Sequence, residues 1–204
     1  MNHRPLLLAC LALLTACHGA STDTPPAAPA TGDAPRACTD AALGLAIAVP
    51  PDMTLRHDFQ RTYLDAAAWQ AFAGRHGQGR PLAALVLKGS DRITAAELRI
   101  SASGDADAVA HCDDTPASAE PGSIASQALG GVTFQRFRAG DAAMGHYLQV
   151  EGYRALRGDR CVAIDLLVYG TRPELYTPPR TPPFSQARAW QALHAALAGL
   201  RWSR

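Results

Sequence analysis

The chain is 204 residues long, and its 19 Lys and Arg stand against 18 Asp and Glu, a formal charge of +1. A chain so close to neutral has no electrostatic reason to bind nucleic acid or anionic lipid, and neither is expected as a partner. The length suits one globular domain of ordinary size preceded by short N-terminal segments.

The N-terminus places Arg4 before an apolar run from Leu6 to Ala16. Crossing a bilayer as a helix takes about 20 apolar residues, so this run reads as the core of a secretory signal. It ends in Leu14-Thr15-Ala16-Cys17, which resembles the bacterial lipobox, a Leu and two small residues before Cys. The resemblance implies a signal peptide over residues 1–16, cleavage before Cys17, and lipidation of Cys17. Leu7-Leu8-Ala9-Cys10 also fits the pattern but leaves almost no apolar stretch ahead of it. Each buried CH₂ of an acyl chain contributes roughly 0.8 kcal/mol, so two or more chains hold a protein to the membrane stably. The residue after Cys17 is His18 and not Asp, a pattern that implies outer-membrane sorting with the domain facing the periplasm.

From His18 to Arg36 the chain is Ser, Thr, Pro, Ala, Gly and Asp with no large apolar side chain. Such a segment cannot bury enough surface to offset its ordering entropy, so residues 17–36 are expected to be the lipidated Cys and a disordered tether. Residues 37–204 then form a single domain.

Within it, Leu43, Leu45, Ile47 and Val49 alternate with small residues until Pro50-Pro51, the pattern of a strand with one buried face. Asp65 can cap a short helix carrying Trp69 and Phe72. Leu82 to Leu87 is a short apolar strand. Ile93 to Ser103 alternates, with Glu97, Arg99, Ser101 and Ser103 expected outward and Leu98, Ile100 and Ala102 inward. Asp105 to His111 suits a helical turn. Val132–Arg138, Tyr147–Leu156 and Cys161–Tyr169 read as three strands, the last two joined by the tight turn Arg157-Gly158-Asp159-Arg160. Ser185 caps a helix bearing Trp190, Leu193, Leu197 and Leu200 at helical spacing, and Gly199 ends it, leaving Leu200-Arg201-Trp202 extended. Strands joined by tight turns favour an antiparallel sheet, hence an α+β fold with a short helix in the N-terminal half and an amphipathic C-terminal helix packed on the sheet.

The opening strand Gly44 to Pro50, the central meander and the C-terminal helix together resemble the PsbP-type α/β sandwich. Gly140-Asp141-Ala142-Ala143-Met144-Gly145-His146 and Cys161-Val162-Ala163-Ile164 are similar to segments of uncharacterised envelope lipoproteins. The resemblance implies an architecture and no catalytic motif.

Once lipid consumes Cys17, three cysteines remain in an oxidising compartment, and three pairings are open. Cys112 lies in a polar loop, Cys161 opens a central strand, and Cys38 sits at the end of the tether, where order is expected to be poorest. Cys112–Cys161 is therefore the expected disulfide, with Cys38 unpaired or in intermolecular exchange. No Cys-x-x-Cys points to a redox or metal-binding thiol.

The remaining candidates are weighed one by one. His111, Asp113 and Asp114 flank Cys112 on one short polar stretch, where metal binding would need ligands converging from separate elements. His57 and Asp58 form a charged turn. Ser123 lies outside any Gly-x-Ser-x-Gly elbow. Gly74 to Arg80 has the wrong glycine order for a dinucleotide loop. Arg157-Gly158-Asp159 is what a hairpin tip needs. His146 and Asp165 are the best catalytic pair, on neighbouring strands, provided both project from one face. No catalytic residue, metal ligand or cofactor is expected. Tyr176, Arg180 and Phe184, in the proline-rich Thr177–Pro183 region, are the expected binding residues, an aromatic and a guanidinium group on a rigid loop. The expectation is a non-catalytic envelope lipoprotein, attached to the membrane by its lipid, whose domain binds a protein partner. The rivals are a periplasmic inhibitor or immunity protein against a cell-wall hydrolase, and an enzyme of unrecognised class.

Overall fold

The structure, a computed structural model, describes residues 36–59 and 79–203. Residues 1–35, with Cys17 and most of the tether, lie outside the described residues, as do the helix expected after Asp65 and most of the Gly74–Arg80 turn. The chain runs β1 (Ala37–Asp40), β2 (Leu45–Ala48), β3 (Met53–Arg56), β4 (Arg80–Leu87), β5 (Ala95–Ser103), α1 (Ala106–Ala110), β6 (Ala125–Leu129), β7 (Val132–Ala143), β8 (His146–Arg157), β9 (Arg160–Thr171), α2 (Gln186–Ala198) and β10 (Leu200–Trp202). It is mostly antiparallel sheet with two helices among the described residues, broadly α+β.

Two sheets form. The larger has the order β3-β4-β5-β9-β8-β7-β6 and the smaller β1-β2-β10. The long hairpins follow from their turns. Arg157 pairs with Arg160 around Gly158 at φ +60°, and Ala143 pairs with His146 around Met144 and Gly145 at φ 49° and +83°. Two consecutive left-handed residues match the twist of antiparallel strands, and glycine takes that conformation without steric cost.

The register divides the large sheet into two faces. Val162, Ile164, Leu166 and Val168 of β9 share one face with Leu98, Ile100, Leu85 and Tyr153, and α2 lies on it. Alanine and leucine favour helix over Gln186–Ala198. Ser185 Oγ accepts the Arg188 N–H at 3.1 Å, Gly199 closes the other end, and Ala189, Ala192, Leu193, Ala196 and Leu197 form the buried stripe. Burying a leucine of that stripe contributes roughly 2 kcal/mol.

The opposite face is also closed. Ala95, Phe137, Ala139, Val150, Leu167 and Tyr169 cluster there, and beside them α1 is pinned by the Cys112–Cys161 disulfide against Ala163. This corrects the expected outward row of β5. Glu97, Arg99, Ser101 and Ser103 do share a face, but all four are buried. Alternation shows which residues share a face, whereas whether that face meets water depends on what packs over it. Inside, Arg99 Nη2 donates to Glu97 Oε2 at 2.9 Å, and Arg154 Nη1 donates to Asp165 Oδ1 at 2.8 Å. Asp165 is thus a buried carboxylate paired with an arginine.

Cys38 is unpaired, as expected, but its expected place in poorly ordered chain is corrected. It lies in β1 opposite Ile47 and is buried in the main core, and burial, with Asp40 nearby, pushes its thiol pKa up. A buried, protonated thiol is a poor partner for disulfide exchange. Among the described residues no helix is long and apolar enough to cross a membrane.

Candidate functional site

α2 covers the β4, β5 and β9 part of its face and leaves the β8–β7–β6 side open. A recess of about 850 Å³ opens where the β7–β8 hairpin meets the proline-rich loop and the start of α2; its lining includes Asp141, Tyr147, Gln149, Glu174, Phe184 and Gln186. On the turns that follow two of its lining residues, Ala142 and Glu174, stand two exposed apolar side chains, Met144 at 94 % and Leu175 at 58 %. They belong to adjoining turns. A Cβ on Gly145 would sit 1.9 Å from Leu175 Cδ1, and Arg172 N–H donates to Gly145 O at 2.9 Å.

The expected binding residues divide. Arg180 stacks over the Tyr176 ring at 4.7 Å, so these two cover one another. Phe184 is half-buried against the main core and lines the recess, acting as a wall more than as an exposed anchor. Sequence reasoning missed Met144 and Leu175. The available signal was a large apolar residue ahead of Gly145 in a two-residue turn, where Asn, Asp or Gly is the usual choice.

Further along the open side lies a polar constellation that sequence reasoning also missed. On β8, Glu151 and Tyr153 share a face; on β7, Arg136 stands opposite Tyr153. Arg136 Nε donates to Glu151 Oε1 at 2.8 Å, the Tyr153 hydroxyl donates to the same oxygen, and His194 Nε2 of α2 lies 3.2 Å from Oε2. Burial alone would raise the Glu151 pKa, but hydrogen bonds from Arg136, Tyr153 and His194 outweigh it and hold the carboxyl below its ordinary 4.5. Burial first, and then the adjacent Glu151 carboxylate, push the Tyr153 hydroxyl pKa up, so it stays protonated.

A carboxyl whose folded pKa is depressed contributes stability that is fully present above its unfolded pKa and is lost as pH falls through the folded one. Glu151→Gln should therefore lower stability at pH 7 and flatten the acid limb below about pH 4.5. Urea unfolding across this range checks it: wild type and variant should differ at pH 7, and the gap should narrow as the pH falls below about 4.5.

The other candidates are dispersed. His146 stands opposite Thr171, with Nδ1 3.1 Å from Thr171 Oγ1, whereas Asp165 stands opposite Gly152. The register places His146 and Asp165 on one face but six residues apart along β9, about 20 Å, so the proposed catalytic pair does not form. His111 Nδ1 lies 2.7 Å from Asp114 Oδ2 on an exposed stretch, and His57 Nδ1 is 3.3 Å from Leu82 O. Among the described residues no group of three or more His, Cys, Asp or Glu is placed to hold a metal. Ser123 is a clip. Its Oγ donates to Glu120 O at 2.8 Å and accepts the Arg138 N–H at 3.0 Å, fastening residues 119–123 along β7. Set beside known proteins, the chain matches no protein-family model and no curated sequence.

Proposed function

We propose that the chain is a lipid-anchored envelope lipoprotein, attached through Cys17 and facing the periplasm, whose domain binds a protein partner without catalysis. The observation that carries the binding half is the exposed apolar pair Met144 and Leu175, on adjoining turns next in the chain to the lining of the 850 Å³ recess. Met144 sits at φ 49°. A non-glycine residue there costs roughly 1–2 kcal/mol, so a 94 %-exposed methionine is placed against local stability. Exposed apolar side chains beside a recess are the usual mark of a protein contact. The anchoring half rests on the lipobox-like Leu14-Thr15-Ala16-Cys17.

One experiment in cells tests both halves. A photo-crosslinking residue at Leu175 should give a discrete protein adduct, and the same probe at Arg201, on β10, should not. Met144→Asn keeps the turn, since Asn tolerates a left-handed φ, and should cut the Leu175 adduct about tenfold. Cys17→Ala should move the protein from the membrane to the soluble fraction. Equal adducts from both probe positions would sink the binding half, and unchanged membrane retention would sink the anchor.

The protruding hairpin tip supports a second reading, an inhibitor of a cell-wall hydrolase with Met144 entering the enzyme's cleft. In that case the purified domain slows digestion of cell walls by a lytic enzyme, and Met144→Asp abolishes the effect.

A further inference from the structure

Three recesses follow one another along the open side of the sheet, and their shared residues show that they are bays of one groove. Gln149 lines both the 850 Å³ recess and a 350 Å³ one; Glu151 and His194 line both the 350 Å³ recess and a 490 Å³ one. The floor is the row Tyr147, Gln149, Glu151, Tyr153, alternate residues of β8, which meets the bays in that order. One wall is the row Gln186, Trp190, His194, at i, i+4 and i+8 on α2, again in that order. A strand row of this length spans about 20 Å. An extended groove of this length suits a linear polymer.

The chemistry of the lining narrows the class. Its charges nearly balance: Glu120, Asp141, Glu151 and Glu174 stand against Arg136, Arg138 and Arg172, with Arg136 paired to Glu151 at 2.8 Å and Arg138 to Glu120 at 3.4 Å. An ionic ligand would meet little net field. The floor strand β8 is hydrogen-bonded to β7 and β9, so it offers no free edge on which a peptide could add as a strand. What the groove does offer is donors and acceptors on planar groups, namely the Gln149 and Gln186 amides, the carboxylates of Glu120, Asp141, Glu151 and Glu174, and the guanidinium groups of Arg136, Arg138 and Arg172. A sugar hydroxyl is both donor and acceptor and can bridge such a series. Trp190 completes the set. Its Nε1 donates to Gln149 Oε1 at 3.4 Å and its ring stacks with His194, centroids 5.9 Å apart, making an aromatic surface with a polar edge.

We propose that this groove binds a linear, uncharged oligosaccharide in extended form. The groove shares its first bay with the recess beside Met144 and Leu175, but Trp190 and His194 line only the other bays, so variants there separate glycan binding from protein binding at that pair.

Calorimetric titration of the full chain in detergent tests it, with chitohexaose and maltohexaose as the probes and an uncharged hexapeptide as the comparison. Saturable binding of at least one glycan at roughly 1 mM or below is expected. The double variant Arg138→Ala, His194→Ala removes two exposed side chains and should weaken that binding about tenfold, with Tm lowered by no more than a few degrees. Trp190→Ala should weaken it too, while Leu175→Ser should leave it as it was. Failure of both glycans to bind overturns the proposal. So does glycan binding that the groove variants do not alter, or a hexapeptide that binds more tightly than either glycan and is lost in the same variants.

Discussion

Replacing Cys112 and Cys161 together by serine is expected to lower the stability of the folded domain by about 4 kcal/mol. The bridge closes a loop of 49 residues, and in the chain-entropy model a cross-link of that span removes about this much freedom from the unfolded chain. Little else holds the tied segment. α1 has five residues, far below the length at which a helix stands alone in water. It is fixed by the Asp105 cap, by Ala108 and by the disulfide beside it. Losing the bridge should therefore cost the full entropic term and also loosen α1. Urea unfolding should show a midpoint lower by about 2 M. Wild type reduced in denaturant and refolded under reducing conditions should match the double variant. A midpoint shift below roughly 0.5 M would mean that the segment is held by packing and that the loop argument fails.

Breaking the buried ion pair should be about as costly. Asp165 and Arg154 have side chains 2 % and 3 % exposed and stand 2.8 Å apart. Arg154 also donates to Tyr153 O at 2.9 Å and lies over the Phe137 ring at 5.2 Å. Asp165→Asn keeps the shape and removes the countercharge, leaving a guanidinium stranded in the interior. Such a loss costs about 3–5 kcal/mol, a fall in Tm of roughly 10 °C for a domain of this size. Asp165→Leu with Arg154→Met removes both charges and should recover most of the loss. A double variant no more stable than Asp165→Asn would show that the pair is not acting as a pair. A loss of activity on changing Asp165 would accordingly report on folding before it reported on chemistry.

The elements legible in the sequence are those with local signals. The β8–β9 hairpin was announced by Arg157-Gly158-Asp159-Arg160, and α2 by Ser185 at one end and Gly199 at the other. β1, β3 and β6 were not read. Ala37–Asp40 and Ala125–Leu129 carry small and polar residues with no apolar period, and they are strands because Ile47 and Phe134 stand opposite them. Glu97 and Arg99 show a second limit: their face was read correctly, but the layer that closes over it is set by distant parts of the chain. The Glu151 constellation shows a third. Arg136, Glu151, Tyr153 and His194 come from two strands and a helix, and only the β7–β8 register and the seating of α2 bring them together. The Cys112–Cys161 bridge was legible because the choices were few.

The point at which the chain enters the domain gives the molecule a direction. Val49 N–H donates to Arg36 O at 2.8 Å, and Ala48 N–H donates to Gly199 O at 3.5 Å, so the entry point lies by the C-terminal end of α2. The Met144–Leu175 turns adjoin the recess at the other end, where Ser185 and Gln186 begin the helix. A helix of 13 residues separates the two by about 20 Å. The domain thus has two poles, one where the chain enters at Arg36 and one at the Met144–Leu175 turns. Under the proposed attachment through Cys17, the covalent tie would reach the domain at the first pole and leave the exposed apolar pair at the second.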